Sequence, residues 1–336
     1  MKFMVEITPS AVDPRHSALV TFLNAGEFEK QLDLLSCAEW EWGPVQQIQT
    51  RVLKCHPGNR CTFEINMKTE RGSHELIGKV FVTERSDIHD NMAEIQQAGF
   101  GCDSQFAIPR PLTYLPSLRL LLEEKAHGVS VREILLAAGP RERKDAAMRC
   151  ARWLAKFHAT APRIGPTSIV DKMMSKSKSQ SRKLTRLGGS FAEKSGRLLT
   201  KLEAQASKLG IVEMCAAHGE YNPSHVLLDG ERTVVIDWDG CQVRDPARDV
   251  ATFIIVTKWL ALDRTGAIGT FDSASDDFLQ AYVAERGPDI LDRLPFHWGA
   301  VCLKHAKYCM AYQFDRWEKK TMAMLEEGLS AVSLTE

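Results

Sequence analysis

The 336-residue sequence predicts an α+β protein in two parts, a small antiparallel-sheet unit followed by a larger, mainly helical one. Three observations carry that prediction. Between Val45 and Thr83, three β-rich runs are separated by turn-forming residues. Beyond Glu124, apolar residues recur at helical spacing. The chain is long enough for roughly two domains of ordinary size, each able to bury its own core. The boundary is expected at 124/125, giving parts 1–124 and 125–336.

The first forty residues are weakly patterned and are expected to be helical in part. Val45–His56, Arg60–Thr69 and His74–Thr83 read as an antiparallel meander, joined by Pro57-Gly58-Asn59 and by Glu70-Arg71-Gly72-Ser73. Ser86 or Asp87 is placed to cap a helix that carries Glu94 and runs through Ala98, with Gly99 and Gly101 ending it. After Pro109-Arg110-Pro111, Leu112–Tyr114 and Leu118–Glu123 supply a last pair of strands. Ala147, Cys150, Ala151, Leu154, Phe157 and His158 form one apolar stripe on a helix from about Arg141 to Ala159, where His158 reads as a packed residue. Asp229-Gly230 marks a hairpin between Val226–Leu228 and Thr233–Trp238. Phe296–Glu327 reads as the best of the remaining helical segments. Lys172–Arg186, with six Lys or Arg and no acid, reads as a solvated or mobile loop, with a clamp for an anionic substrate group as the sharper alternative.

Composition narrows the function. Lys+Arg and Asp+Glu each number 43, so the net charge is zero. The chain therefore lacks the basic field of a nucleic-acid binder or a polybasic membrane protein, and any charged function must be local. There is no run of about 18 apolar residues, and Glu6 and Pro9 interrupt the start, so a cytoplasmic protein with no membrane partner is expected. Nine scattered cysteines without a C-x-x-C pair support neither a disulfide framework nor a zinc ribbon; they read as reduced and mostly buried.

Chemistry concentrates in His218-Gly219-Glu220-Tyr221-Asn222-Pro223-Ser224-His225, then Ile236-Asp237-Trp238-Asp239-Gly240, then Arg244-Asp245-Pro246-Ala247-Arg248-Asp249-Val250-Ala251. Phosphoryl transfer needs one carboxylate facing the attacking hydroxyl and further ligands holding metal against the nucleotide phosphates. Glu220 and His225 are five apart with Asp237 twelve further on, a loop–strand–turn–strand spacing that returns the chain to the same end of a hairpin. Two other motifs fail. Gly99-Phe100-Gly101 lacks the third glycine of a dinucleotide fingerprint. His218-Gly219-Glu220 has the form of a zinc-deaminase motif, but no Pro-Cys-x-x-Cys follows.

Over Cys215–Ala251 the chain resembles the aminoglycoside-phosphotransferase and choline-kinase-like family, whose catalytic loop reads His-Gly-Asp-x-x-x-x-Asn and whose metal turn reads Ile-Asp-[Phe/Trp]-[Glu/Asp]. The resemblance implies a bilobal protein-kinase-like fold, with a small antiparallel-sheet N-lobe that binds nucleotide and a helical C-lobe that holds the acceptor. It implies Glu220 as the catalytic base, His225 and Asp237 as metal ligands, and His218, Asp239 and Asp249 as supports. Lys79 falls where the family's phosphate-binding lysine lies, with Glu94 placed to pair with it. Gly58, in Pro57-Gly58-Asn59-Arg60, replaces the phosphate cover, and Glu124 to Ala126 lie in the hinge facing the base. Taken singly, Lys79, Glu94 and Gly58 are ordinary strand, helix and turn residues; only Glu220, His225 and Asp237 together outweigh that reading.

Two positions depart from the family's commonest residues. Glutamate at 220 adds a methylene, moving the carboxylate by roughly 1.5 Å, and about 1 Å of misplacement can cost on the order of a hundredfold in rate. Histidine at 225 offers nitrogen where an amide oxygen is usual, as in the macrolide-kinase branch, and suits manganese better than magnesium. Two functions stay open. One is a kinase moving the γ-phosphate of ATP or GTP, with Mg2+ or Mn2+, to a hydroxyl of a small-molecule metabolite or antibiotic-like acceptor. The other is a catalytically impaired, nucleotide-binding pseudokinase acting as a sensor or partner-binding module. No nucleic-acid partner is expected, and the chain is expected to be a monomer or homodimer.

Overall fold

In the computed structural model, residues 2–6, 25–56, 58–313 and 315–333 are described. The chain divides into two compact units, Met1–His127 and Gly128–Glu336.

The first unit is built on a six-stranded sheet of order β1-β2-β3-β4-β7-β6. Its strands are β1 (Lys2–Glu6), β2 (Val45–His56), β3 (Arg60–Thr69), β4 (Gly72–Phe81), β6 (Pro111–Leu115) and β7 (Leu120–Glu124), and a two-residue β5 (Phe106–Ala107) precedes β6. β1 runs parallel to β2, and the meander β2-β3-β4 is antiparallel. Alternation along β2 buries Ile48, Thr50 and Val52 while their neighbours face outward, the period expected of a sheet with one covered face. Helix α1 (Ala25–Ala38) sets Phe28 and Leu32 into the core formed with Ile48, Phe63 and Ile65. Phe63 explains Gly78 opposite it: a Cβ there would lie 2.5 Å from the Phe63 ring.

Helix α2 (Ser86–Ile95) is shorter than the sequence predicts, because a π-turn over Gln96–Phe100 takes over, with Gly99 at φ 97°. Its expected cap is also corrected. Arg85 is the N-cap residue and makes no side-chain cap bond; Asp87 instead receives the Arg85 guanidinium at 2.9 Å. The reading of the cysteines is corrected at one pair: Cys55 and Cys61 face each other across β2 and β3 and form a disulfide. Five of the other seven cysteines are buried thiols.

The second unit is helical apart from short strands. Ser130 caps α3 (Val131–Ala137) in a reciprocal box with Glu133. The stripe read from the sequence becomes α4 (Pro140–Thr160), with Trp153, Leu154, Phe157 and His158 buried. The basic segment is a helix, α5 (Val170–Thr185), rather than a loop. Its buried positions are Met174, Ser177, Ser181 and Leu184, so half of its inner face is serine, which hides the helical period from an apolar count. Ser181 Oγ compensates by donating to the Ser195 carbonyl of α6 (Gly189–Ala206).

After β9 (Cys215–Ala217), a 3-10 turn over Pro223–His225 leads into the hairpin β10 (Val226–Asp229) and β11 (Arg232–Val235), and β8 (Val129–Ser130) pairs with β10. A 3-10 turn over Trp238–Gly240 follows, then β12 (Gln242–Arg244), which pairs with β9. Helix α7 (Ala247–Thr265) is buried along most of its length, and α8 (Asp272–Arg286) follows. The helix expected over Phe296–Glu327 is two helices, α9 (Leu294–Tyr312) and α10 (Trp317–Ser333). Gln313 adopts a left-handed conformation at φ 46° and ends the first of them. No helix among the described residues is long and apolar enough to cross a membrane.

Candidate active site

The loop Cys215–His225 rests on an aromatic base. Trp153 stacks on Tyr221 at 5.8 Å and on Phe157 at 5.1 Å, and Phe157 packs on Trp238 at 5.2 Å. Each of these side chains is at most 1% exposed. Tyr221 also donates its hydroxyl to the Cys150 carbonyl at 2.8 Å, which ties the loop to α4. Burying each ring contributes on the order of 1.5–3 kcal/mol, so the loop inherits the rigidity of the core beneath it.

Asp249, in the first turn of α7, supplies the loop's main polar anchor. Its carboxylate accepts from the backbone N–H of His218 at 2.7 Å and of Gly219 at 3.2 Å, and His158 Nε2 lies 3.7 Å away. Burial alone would raise the carboxyl, but the approach of the His158 ring and the nearby Arg244 charge hold it at about 2. His158 is therefore both packed and polar in its contacts, since Nδ1 meets the Tyr282 hydroxyl at 2.7 Å while Nε2 faces Asp249. Gly219 sits at φ 93°, where a side chain is disfavoured, and a Cβ would collide with the Gly240 carbonyl. His218 is fully buried and reaches the Ile236 carbonyl through Nε2 at 2.9 Å, joining the loop to the turn before Asp237.

Three chemical groups gather on this frame. Glu220 is half exposed at its side chain and pairs with Lys304 of α9, Oε1 to Nζ, at 2.5 Å. Desolvation works to raise its carboxyl, yet the charge and hydrogen bond of Lys304 outweigh it and the net shift is downward. His225 Nδ1 lies 3.0 Å from the Glu220 carbonyl and Nε2 lies 3.4 Å from Asp237 Oδ2. Burial lowers the His225 ring to about 4, so it is neutral near pH 7. In the tautomer that donates from Nδ1 to the Glu220 carbonyl, Nε2 turns a lone pair toward a carboxylate oxygen. At 3.4 Å the two stand slightly wider than the roughly 3 Å between neighbouring donors on an octahedral ion with bonds of about 2.1 Å, so a small side-chain movement would close them on one ion. Asp237 itself occupies a left-handed conformation at φ 69°. That placement costs a non-glycine residue of order 1 kcal/mol and recurs at functional turns. Asp239 lies in the 3-10 turn that follows, half-buried.

Sequence reasoning misses three contributors here. Asn222 is buried and braces the loop, donating to the Glu220 carbonyl at 2.7 Å and accepting from Ser224 N–H at 2.9 Å. Its proximity to Glu220 in the chain is the available signal. Arg244 lies inside the quoted motif and reaches the Gly219 carbonyl at 3.5 Å. Lys304 is 84 residues from Glu220 and carries no local signal.

In the first unit, Lys79 lies on β4, opposite Leu121 of β7. It is 4% exposed and its ammonium is 3.2 Å from Glu123 Oε1. Glu123, not Glu94, is therefore its carboxylate partner; Glu94 is exposed on α2 and forms no ion pair among the described residues. The physical reason is register: Glu123 pairs with Ile77, two residues from Lys79 on the adjacent strand, whereas Glu94 points to solvent from its helix. Gly58 has φ 70° in the β2–β3 turn, and nothing lies within 4 Å of where a Cβ would stand. Pro57 lies outside the described residues. Glu124 is half-buried, with its backbone N–H on the Arg110 carbonyl at 2.9 Å, and burial raises its carboxyl. Ala126 is half-buried, and beside it Lys125 pairs with Glu64 at 2.5 Å and Glu75 at 2.7 Å.

A meander with a buried strand lysine, followed by a helical unit whose loop and hairpin carry Glu220, His225 and Asp237, is the architecture of the protein-kinase-like fold. The chain belongs to the phosphotransferase enzyme family, whose model matches residues 79–295. Solved structures share the fold at low identity. A choline/ethanolamine kinase family protein from Mesorhizobium loti matches at a TM-score of 0.57 and 15% identity, covering 92% of this chain and 99% of its own. A thermostable mutant of the aminoglycoside phosphotransferase APH(4)-Ia, in a ternary complex with ADP and hygromycin B, matches at 0.59 and 16%, covering 91% and 97%. The macrolide 2'-phosphotransferase MphH from Brachybacterium faecium matches at 0.53 and 16%, covering 89% and 98%. A search of curated protein sequences finds no match.

Proposed function

We propose that this protein transfers the γ-phosphate of ATP or GTP to a hydroxyl group of a small molecule. The observation that carries this reading is the approach of His225 Nε2 to within 3.4 Å of Asp237 Oδ2, on a loop that also presents Glu220. The solved relatives named above, one complexed with ADP and hygromycin B, support a nucleotide co-substrate and a small-molecule acceptor.

Roles follow from the chemistry of each group. Asp237 and the neutral His225 would hold a divalent cation, Mg2+ or Mn2+, whose charge offsets the nucleotide phosphates. Two protein donors suffice for such an ion because phosphate oxygens and water complete its shell; no group of three or more metal-type side chains occurs among the described residues. Glu220, kept ionised by Lys304, orients the acceptor hydroxyl and receives its proton. Lys79, paired with Glu123, serves the nucleotide phosphates from the first unit, with Gly58 in the covering turn and Glu124 and Ala126 in the segment serving the base. Asp249, His218 and Asn222 hold the loop in shape, and Asp239 is assigned a supporting place in the turn after Asp237.

A second reading is favoured by one observation. The Glu220 carboxylate is already committed to Lys304 at 2.5 Å, as suits a nucleotide-binding pseudokinase that senses rather than transfers. Thermal-shift titration with ATP, GTP and their non-hydrolysable analogues, each with Mg2+ or Mn2+, tests what both readings share. Stabilisation that requires nucleotide and metal together, and that Asp237→Ala abolishes, is the expected result. No metal-dependent shift in the wild type removes both.

A further inference from the structure

The second unit contains a cavity of about 270 Å3 whose ionisable lining is Lys176, Arg244, Asp245, Arg248, Arg293 and His297. Four of these are cations and one is a carboxylate. Asp245 is fully engaged: Arg293 Nε lies 2.5 Å from Oδ2, His297 Nε2 lies 2.9 Å from the same oxygen, and Oδ1 accepts from Ala247 N–H. That leaves Lys176, Arg244 and Arg248, none of which forms an ion pair among the described residues.

The two arginines are further isolated. Arg248 Nη1 and Arg244 Nε are buried without a hydrogen-bond partner. Burial, and then the neighbouring Arg244 charge, lower the Arg248 guanidinium to about 10. Partial burial and the charges of Lys172, Arg244, Arg248 and Lys304 likewise lower Lys176. Glu220 and Asp249 offset part of this charge at both arginines, yet neither forms an ion pair with them, so the cations gathered in a partly desolvated wall stay costly until a further counter-charge arrives. The cavity also adjoins the loop that carries Glu220, since Arg244 Nη1 lies 3.5 Å from the carbonyl of Gly219, the preceding residue.

We propose that this cavity is the acceptor subsite and that it takes a small anionic alcohol, whose carboxylate or phosphate group is held by Lys176, Arg244 and Arg248 while its hydroxyl faces Glu220. This rests on the reading of the chain as a phosphotransferase. In the transfer, the hydroxyl oxygen bonds to the γ-phosphorus and the bond from that phosphorus to the β,γ-bridging oxygen breaks. The hydroxyl proton passes to Glu220 and the nucleoside diphosphate departs. The cavity's size falls below the roughly 300–1,000 Å3 of sites for drug-sized ligands, which suits a metabolite of a few carbons. Its charge opposes polycationic acceptors.

Calorimetry without nucleotide tests the proposal, using glycerol 3-phosphate and D-glycerate as anionic probes and choline and hygromycin B as cationic ones. The wild type is compared with Lys176→Glu and Arg248→Gln. At least one anion is expected to bind, at least tenfold more weakly in both variants, with neither cation binding. Which anion binds decides between phosphate and carboxylate. Lys176 is exposed, so Lys176→Glu carries the test even if Arg248→Gln fails to fold. Equal anion binding by wild type and Lys176→Glu, no anion binding at all, or tighter binding of choline or hygromycin B overturns the proposal. Nucleotide binding is measured in parallel. Its loss with anion binding intact removes the phosphotransfer reading alone, and its presence with anion indifference removes the anionic acceptor alone.

Discussion

Lys304 Nζ lies 2.5 Å from Glu220 Oε1, joining the proposed base to a helix 84 residues later in the chain. Both side chains are substantially exposed, so the pair contributes little to folding, of order 0–1 kcal/mol. Its effect is on the carboxylate, which it holds ionised and aimed.

Lys304→Gln is therefore expected to leave the melting temperature within about 2–4 °C of wild type and to move the acid limb of kcat/KM to higher pH. The sign follows from the pair: Lys304 depresses the Glu220 carboxyl, so removing it returns the group toward its usual range. A pH profile of phosphate transfer checks this, and an unmoved acid limb contradicts it.

Asp249→Ala is expected to cost about 3–5 kcal/mol, because it orphans the buried N–H groups of His218 and Gly219 together and removes the carboxylate that the buried His158 ring faces. Urea denaturation measures the loss directly. A change below about 1 kcal/mol shows that the loop does not depend on this anchor.

Acid stability should report Asp245. Burial opposes its charge, but His297 and Arg293 outweigh that and hold the carboxyl at about 2, below its unfolded value near 4. A depressed carboxyl contributes stability that is present above the unfolded value and lost as pH falls through the folded one. Roughly 2 kcal/mol should therefore disappear between about pH 4 and pH 2. Asp245→Asn should flatten that part of the stability curve, and an unchanged slope contradicts the assignment.

Gly78→Ala is expected to destabilise the first unit by about 1–3 kcal/mol, since the added methyl meets the Phe63 ring at 2.5 Å in a packed core. Phe63→Leu in the same chain should recover part of the loss, which thermal unfolding of the double variant measures.

Legibility in the sequence tracks how local each cause is. The meander, the α4 stripe and the Asp229-Gly230 hairpin are set by neighbouring residues and are readable to within a few positions. Glu220, His225 and Asp237 are readable as a group because one loop and one hairpin carry them all. Helix α5 is hidden because Ser177 and Ser181 occupy buried positions that an apolar count leaves blank. The break after Tyr312 is hidden because Gln313 takes a left-handed conformation without glycine or proline to announce it. Lys79 is legible, but its partner depends on the pairing of β4 with β7, which sets Glu123 beside it in place of Glu94. Lys304 depends on the packing of a distant helix and has no local trace.

Transfer of labelled γ-phosphate from ATP and Mg2+ into a small-molecule extract, compared among wild type, Glu220→Gln and Asp237→Ala, tests the central claim most directly. A phosphorylated product is expected that needs the wild-type protein, falls by about 10²-fold or more with Glu220→Gln and vanishes with Asp237→Ala. Nucleotide binding without any product would leave the sensor as the surviving account. Product formed equally well by Glu220→Gln and Asp237→Ala would contradict the placement of the chemistry at Glu220, His225 and Asp237.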